Sequence, residues 1–155
     1  MNLELDATDL FILEQMQANA RVSNAELARE LNMAPSAVLE RVRKLEEKKV
    51  ITGYRTAINP GAVGQQLLAF IFIRAADGLG SSQSGLALAK IPGVQEVHHI
   101  AGEDCYLVKV RAADSAALMN LMRTKFSKIP NIQSTKTTIV LQTLKEEQQL
   151  VIPKK

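Results

Sequence analysis

The chain has 155 residues, 46% hydrophobic and 23% charged, with a formal net charge of +3 and a pI of about 9.1. That is ordinary globular composition with room for two small domains. No apolar run approaches the roughly 18 to 20 residues of a membrane span, and the acidic amino-terminal stretch is unlike a secretion signal. The single cysteine, Cys105, excludes an internal disulfide framework and a cysteine-rich metal site. A cytoplasmic protein is expected.

The basic pI is not by itself an argument for nucleic acid. Through Pro60 there are eight Lys/Arg against nine Asp/Glu, and from Gly61 eleven against seven. Clustering carries more information: Leu3 to Asn19 is acidic, whereas Arg41, Arg43, Lys44, Lys48, Lys49 and Arg55 lie close together. A single unit so weakly basic holds DNA poorly, because phosphate neutralisation supplies most non-specific affinity, so a multimer is expected.

In chain order, Asp6 is a good N-cap for a helix over Ala7–Ala18, with Leu5 stapling onto Leu10 and Leu10, Ile12, Leu13 and Met16 forming an apolar side. Ser23 and Glu26 form a capping box for a second helix, whose Leu27, Ala28 and Leu31 share one face. Asn32 tolerates the left-handed conformation that ends a helix sharply. After a break at Asn32–Ala34, Pro35 opens a third helix with Val38, Val42, Leu45 and Lys49 along its inward side. About a third of the way round that helix, Ala37, Arg41, Lys44 and Lys48 make a cationic stripe. This is a three-helix unit containing a helix-turn-helix, and its last helix has the division a recognition helix needs. A solvated charged helix in a bundle is the plainer alternative.

Val50–Ile58 reads as a strand acting as hinge, with β-favouring Ile51, Thr52, Tyr54, Thr56 and Ile58, ended by Asn59-Pro60-Gly61. Beyond it, Lys90-Ile91-Pro92-Gly93-Val94-Gln95 recurs as Lys128-Ile129-Pro130-Asn131-Ile132-Gln133, each copy following a helical pattern and leading into a strand-like run. The helices fall at about Ser82–Lys90 and, capped by Asp114, at the segment carrying Leu118, Leu121, Met122, Phe126 and Ile129. Strands are expected at Leu67–Ala75, Val94–Ile100, Tyr106–Ala112 and Ile132–Leu144. The order β-α-β-β-α-β predicts a ferredoxin-like sandwich, hence an α+β chain. Leu67–Ile73 is apolar at every position, and Thr138–Leu144 is apolar on both sides. An open sheet face covered by another subunit follows.

The helix-turn-helix, then Glu40-Arg-Val-Arg-Lys-Leu-Glu46, Val50-Ile-Thr-Gly-Tyr54, Asn59-Pro60 and Gly102-Glu-Asp-Cys-Tyr-Leu107, resemble the Lrp/AsnC, or feast/famine, family of transcription regulators over nearly the whole chain. The resemblance implies a winged-type helix-turn-helix domain at 1–50, a strand and hinge linker at 51–60, and a ferredoxin-like regulator-of-amino-acid-metabolism domain at 61–155. It also implies double-stranded DNA as partner, amino-acid effectors and homodimers assembling to octamers. With no nucleophile-base or metal-ligand constellation in the sequence, no enzymatic activity, cofactor or metal is expected, and with no apolar run of spanning length, no membrane. Pro35, Ser36, Ala37, Glu40, Arg41, Arg43, Lys44 and Lys48 become the DNA-binding residues. His99, Ala101, Gly102, Glu103 and Asp104, with Ser134, Thr135, Thr137 and Thr138, become the effector-binding residues. The chain departs from the family at Ala34, where a capping Ser is usual, and at Cys105 beside Asp104.

Plainer readings exist for several of these residues. Gly102–Asp104 also suits a simple hairpin turn. His98 and His99 are adjacent on a strand and point to opposite faces, which disfavours a two-histidine metal site. Cys105 lacks a base partner and reads as a small buried residue. Two alternatives to an amino-acid-responsive regulator are an effector-independent architectural DNA-binding protein and an amino-acid sensor or enzyme component without DNA binding. The latter leaves the capped helix pair and its basic residues unexplained.

Overall fold

A computed structural model describes residues 4–154, so the domain limits at 1 and 155 lie outside the described residues. The chain divides into two compact units. One runs to Ala57 and resumes at Lys145; the other is Ile58–Leu144. The segment from Lys145 thus packs with the helical unit rather than with the sheet.

The helical unit holds α1 (Ala7–Ala18), α2 (Asn24–Leu31) and α3 (Pro35–Glu47). Asp6 accepts from the Asp9 backbone N–H at 2.8 Å while the Asp9 carboxylate accepts from that of Asp6 at 3.3 Å. Ser23 and Glu26 make the same reciprocal pair at α2. Two orphan donors are satisfied at each start. Asn32 takes φ 51°, and its successor Met33 donates to the Ala28 carbonyl, so the chain turns within three residues. Ile12, Leu27, Ala28, Val38, Val42 and Leu45 are the buried core. Beyond the end of α3, Lys49 is also left-handed at φ 57°, and Val50 and Ile51 both donate to the Leu45 carbonyl.

No side chain caps α3 at Ala34. Ser36 does not substitute, and the first turn of the helix lacks the hydroxyl acceptor an N-cap supplies. Ala34→Ser is therefore expected to stabilise the protein by about 0.5 to 1 kcal/mol, read as a higher urea midpoint. An unchanged midpoint would mean that α3 is already held by its packing alone.

The strand expected at Val50–Ile58 does not form. β-favouring residues make a strand only against a ladder partner, and this segment pairs with none of the described strands. Tyr54 instead donates its hydroxyl to Glu46 at 2.7 Å, fastening the segment to the end of α3.

The second unit is a four-stranded antiparallel sheet in the order β2-β3-β1-β4: β1 Leu67–Ala75, β2 Val94–His99, β3 Tyr106–Ala112, β4 Ile132–Ile139. Helices α4 (Gln83–Ala89) and α5 (Ser115–Thr124) complete the ferredoxin-like βαββαβ order. Ala69, Ile71 and Ile73 of β1 join Tyr106, Val108 and Val110 of β3 beneath Leu88 and Leu118 in one buried core. The opposite face carries Leu68, Phe70, Phe72 and Leu107, with Phe70 opposite Lys109 and Phe72 opposite both Leu107 and Lys136. β4 stops at Ile139, five residues short of expectation, and Leu141 and Leu144 are exposed.

The two sequence copies occupy equivalent corners. Val94 N–H donates to Ile91 and Ile132 N–H to Ile129; Gly93 then accepts from Arg111 and Asn131 from Ala76. Gly93 has φ 91°, and a Cβ there would lie 3.1 Å from the Arg111 carbonyl. That close approach accounts for the glycine in this copy.

Candidate nucleic-acid interface and effector region

The face of α3 opposite the core exposes Pro35, Ser36, Leu39, Glu40, Arg43, Lys44 and Glu47; Ala37 and Arg41 are half-buried at its side and Lys48 is exposed at its end. Arg41, expected among the base readers, is occupied. Its guanidinium donates to Asp6 at 2.7 Å and Asp9 at 2.9 Å, spanning to the first turn of α1. Those hydrogen bonds, Asp6 first, raise the Arg41 pKa above its ordinary value. Asp6 is lowered in turn, most by the Asp9 backbone N–H and then by Arg41. Arg41 therefore acts first as a brace between α1 and α3.

Arg43 projects outward and forks onto Glu40 at 2.7 and 2.9 Å, with Glu47 on its other side. Lys44 lies 3.8 Å from the same Glu40. Glu40 is lowered by the Arg43 hydrogen bond and Arg43 correspondingly raised. These exposed pairs exchange readily, since each is worth little in water. The two cations and two carboxylates of this surface cancel, so it attracts phosphate weakly before it attracts it specifically.

The expected effector residues divide between the two sides of the sheet. Ala101–Asp104 form the β2–β3 turn, closed by Ile100 N–H on the Cys105 carbonyl. Glu103 pairs with Arg74 at 2.8 Å and Asp104 with Lys136 at 3.8 Å. Both loop carboxylates thus already have cations, Arg74 and Lys136, which the sequence reading leaves out because they lie some thirty residues away on β1 and β4. Lys136 also sits over the Phe72 ring at 4.8 Å. Gly102 has φ 120°, with open space where a Cβ would be.

Thr135 and Thr137 lie opposite Ile73 and Ile71, on the helix side, whereas Ser134 and Thr138 lie opposite Arg74 and Phe70, on the other. Between α5 and β4 runs a groove of about 640 Å³ lined by Leu118, Met119, Met122, Phe126, Ile139, Thr135 and Thr137, with Ser134 also at its wall. His99 packs against Tyr106 with ring centroids 5.0 Å apart and the planes tilted by 32°. Cys105 is half-buried, its thiol donating to the Ala75 carbonyl, which is a packing role. Among the described residues no cluster of side chains could hold a metal ion, and no helix is long and apolar enough to cross a membrane.

Residues 5–52 match the model of the winged helix-turn-helix DNA-binding domain, and residues 68–150 that of the Lrp/AsnC ligand binding domain. The leucine-responsive regulatory protein of Haemophilus influenzae is 33% identical over 97% of this chain and 92% of its own length. That of Escherichia coli K12 is 34% identical over 96% and 92%. The chain belongs to the Lrp/AsnC family. Its fold is that of the family's solved structures. Escherichia coli AsnC, 30% identical, superposes with a TM-score of 0.86 over 97% of this chain and all of its own. A feast or famine regulatory protein from M. tuberculosis, solved with L-methionine, is 35% identical and gives 0.87 over 97% and 100%. As a member of the Lrp/AsnC family the chain is a DNA-binding regulator whose second unit is the ligand-binding domain.

In Lrp/AsnC terms, what composition and spacing miss are the partners of the expected residues. Asp6 signals α1 capping in the sequence, and nothing local to Arg41 connects Asp6 or Asp9 to it. Asp77 is missed as well. It stands between β1 and α4 and accepts from Ser84 N–H and Oγ, Tyr106 and Asn131.

Proposed function

We propose that this chain is a sequence-specific regulator of transcription that binds duplex DNA through α3 and whose DNA binding responds to an amino acid. The observation that carries the reading is α3 itself: braced from behind by Arg41, it turns Ser36, Glu40, Arg43 and Lys44 outward from a short first turn of Pro35, Ser36 and Ala37. Lys48 meets phosphate at its end. The protein acts in the cytoplasm, by binding rather than by catalysis. The working form is a dimer joined through the face bearing Phe70, Phe72 and Leu107, since a monomer rarely leaves such a patch in water. Dimers assemble further to octamers.

The effector's charged groups are read at Ala101–Asp104, where Gly102 leaves the backbone open, and at the hydroxyls of Ser134 and Thr138 on the side of the sheet that carries Arg74 and Lys136, while Thr135 and Thr137 face the groove by α5. His99 lies at the adjacent end of β2. Since Glu103 and Asp104 are ion-paired, an α-ammonium binds there by displacing Arg74 or Lys136. Regulators solved with L-methionine from M. tuberculosis and, at 26% identity and a TM-score of 0.85 over 96% of this chain and 97% of that one, from Neisseria meningitidis support an amino acid as the effector.

The test is fluorescence anisotropy on duplexes enriched from a random pool, with each amino acid in turn. One amino acid is expected to shift the apparent affinity at least about fivefold, the lower end of ordinary coupling energies. Gly102→Val, forced into a φ that valine avoids, is expected to abolish that shift while effector-free DNA binding persists. No response to any amino acid would favour an architectural DNA-binding protein. No enriched duplex would remove the DNA reading altogether.

A further inference from the structure

Past Pro35 in its first turn, the outward face of α3 carries one aliphatic side chain. Leu39 is 56% exposed, while Val38, Val42 and Leu45 of the same helix are buried, and it takes no part in the core cluster of its unit. An exposed leucine is ordinary surface when it stands alone. Leu39 stands in a row. Ser36, Leu39 and Arg43 follow the i, i+3, i+7 spacing that aligns side chains on one side of a helix, and Glu40 flanks them. The aliphatic group is thus set among groups that donate and accept hydrogen bonds.

A protein partner would be served by a wide contiguous apolar area, and the neighbours of Leu39 are the small Pro35 ring, a hydroxyl, a carboxylate and a guanidinium. The major groove is different. Its base edges present donors, acceptors and a single kind of apolar group, the C5 methyl of thymine. Ser36, Glu40 and Arg43 suit the polar edges; in this row only Leu39 suits the methyl.

We propose that Leu39 is a specificity-determining residue that reads a thymine methyl in the major groove. This rests on α3 being the recognition helix. Leu39 and Arg43 are four residues apart, about 6 Å along a helix axis, and base pairs are spaced about 3.4 Å. The thymine that meets Leu39 therefore lies within about two base pairs of the base pair that meets Arg43.

The test uses the full-length protein and duplexes enriched from a random pool, in which each thymine is replaced singly by uracil, deleting only the C5 methyl. For the wild type, uracil at one thymine of each half-site is expected to weaken binding about fourfold, the effect of one buried methyl group. Leu39→Ala is expected to lose a similar factor on the thymine duplex and to be indifferent to uracil at that position. Its fold should survive, because the side chain is outside the core and alanine is the better helix former. Leu39→Gln, which can pair with adenine, is expected to enrich sites with adenine there. Two results would overturn the inference: a wild type indifferent to uracil everywhere, or Leu39→Ala as sensitive to uracil as the wild type. If no duplex is enriched at all, the DNA reading itself fails and Leu39 falls with it.

Discussion

Replacing Asp77 with alanine is expected to destabilise the sheet unit by about 3 kcal/mol at neutral pH, because it strands several part-buried donors at once. Asp77 Oδ2 accepts from the Tyr106 hydroxyl at 2.7 Å and the Ser84 N–H at 3.0 Å, and Oδ1 from Ser84 Oγ at 2.6 Å and Asn131 at 3.2 Å. These donors come from α4, β3 and the turn before β4, so one carboxylate joins three parts of the unit. Burial pushes its pKa up, but the hydrogen bonds from Ser84, Tyr106 and Asn131 outweigh burial and bring it down to about 2. The sign follows from that shift. The unfolded chain, with its ordinary value near 3.8, binds the proton more readily. The stabilisation is therefore complete above about pH 4 and lost as pH falls towards 2. There are two tyrosines, so in a Tyr54→Phe background urea unfolding followed by tyrosine fluorescence reports on Tyr106 alone. The gap between Asp77 and Asp77→Ala should narrow steadily from pH 4 to pH 2. A gap independent of pH would show that the carboxylate's charge is not what the donors require.

The second large effect is expected at Gly85, in the first turn of α4. A Cβ there would stand 2.6 Å from Cε1 of Tyr106, a ring that is 2% exposed and held at its far end by Asp77. Two terms oppose each other in Gly85→Ala. Alanine gains about 1 kcal/mol of helix propensity over glycine. Overpacking against a buried ring costs about 1 to 3 kcal/mol, and here it also dislodges the hydroxyl from Asp77. The net expectation is a loss of about 2 kcal/mol, read from the urea midpoint. In a Tyr106→Leu background, where the ring is absent, the same substitution should be neutral or stabilising. An equal loss in both backgrounds would put the strain elsewhere.

The parts of the fold that the sequence states plainly are those whose cause is local. Asp6, Ser23 and Asp114 cap as their neighbours require, Asn32 turns left-handed, and β1 and β3 begin and end at the residues expected of them. Where the cause is a distant partner, the sequence is silent or misleading. Val50–Ile58 has the residues of a strand and no ladder to join, and the expected strand to Leu144 leaves the sheet after the hydrogen bond from Val140 N–H to the Leu68 carbonyl. The candidate site follows the same division. Outward residues of α3 are legible from helical phase. The commitment of Arg41 to Asp6 and Asp9, and of Glu103 and Asp104 to Arg74 and Lys136, depends on chain crossings that no spacing records.

The helical unit is discontinuous, and α1 is the element that reaches its second piece. The Gln17 carboxamide donates to the Leu150 carbonyl at 2.6 Å and accepts from the Leu150 N–H at 2.9 Å, as a neighbouring strand would, while Ile152 and Pro153 border Leu10 and Phe11. The two partners are 133 residues apart. At ordinary translation rates, Leu150 is made about ten seconds after Gln17. During that interval α2 and α3 can already pack, but the outer side of α1 remains bare. α1 is therefore among the last elements of its unit to be completed, and a nascent chain stalled within the sheet unit would display a helix-turn-helix whose brace, Arg41 on Asp6 and Asp9, hangs on an α1 not yet clasped.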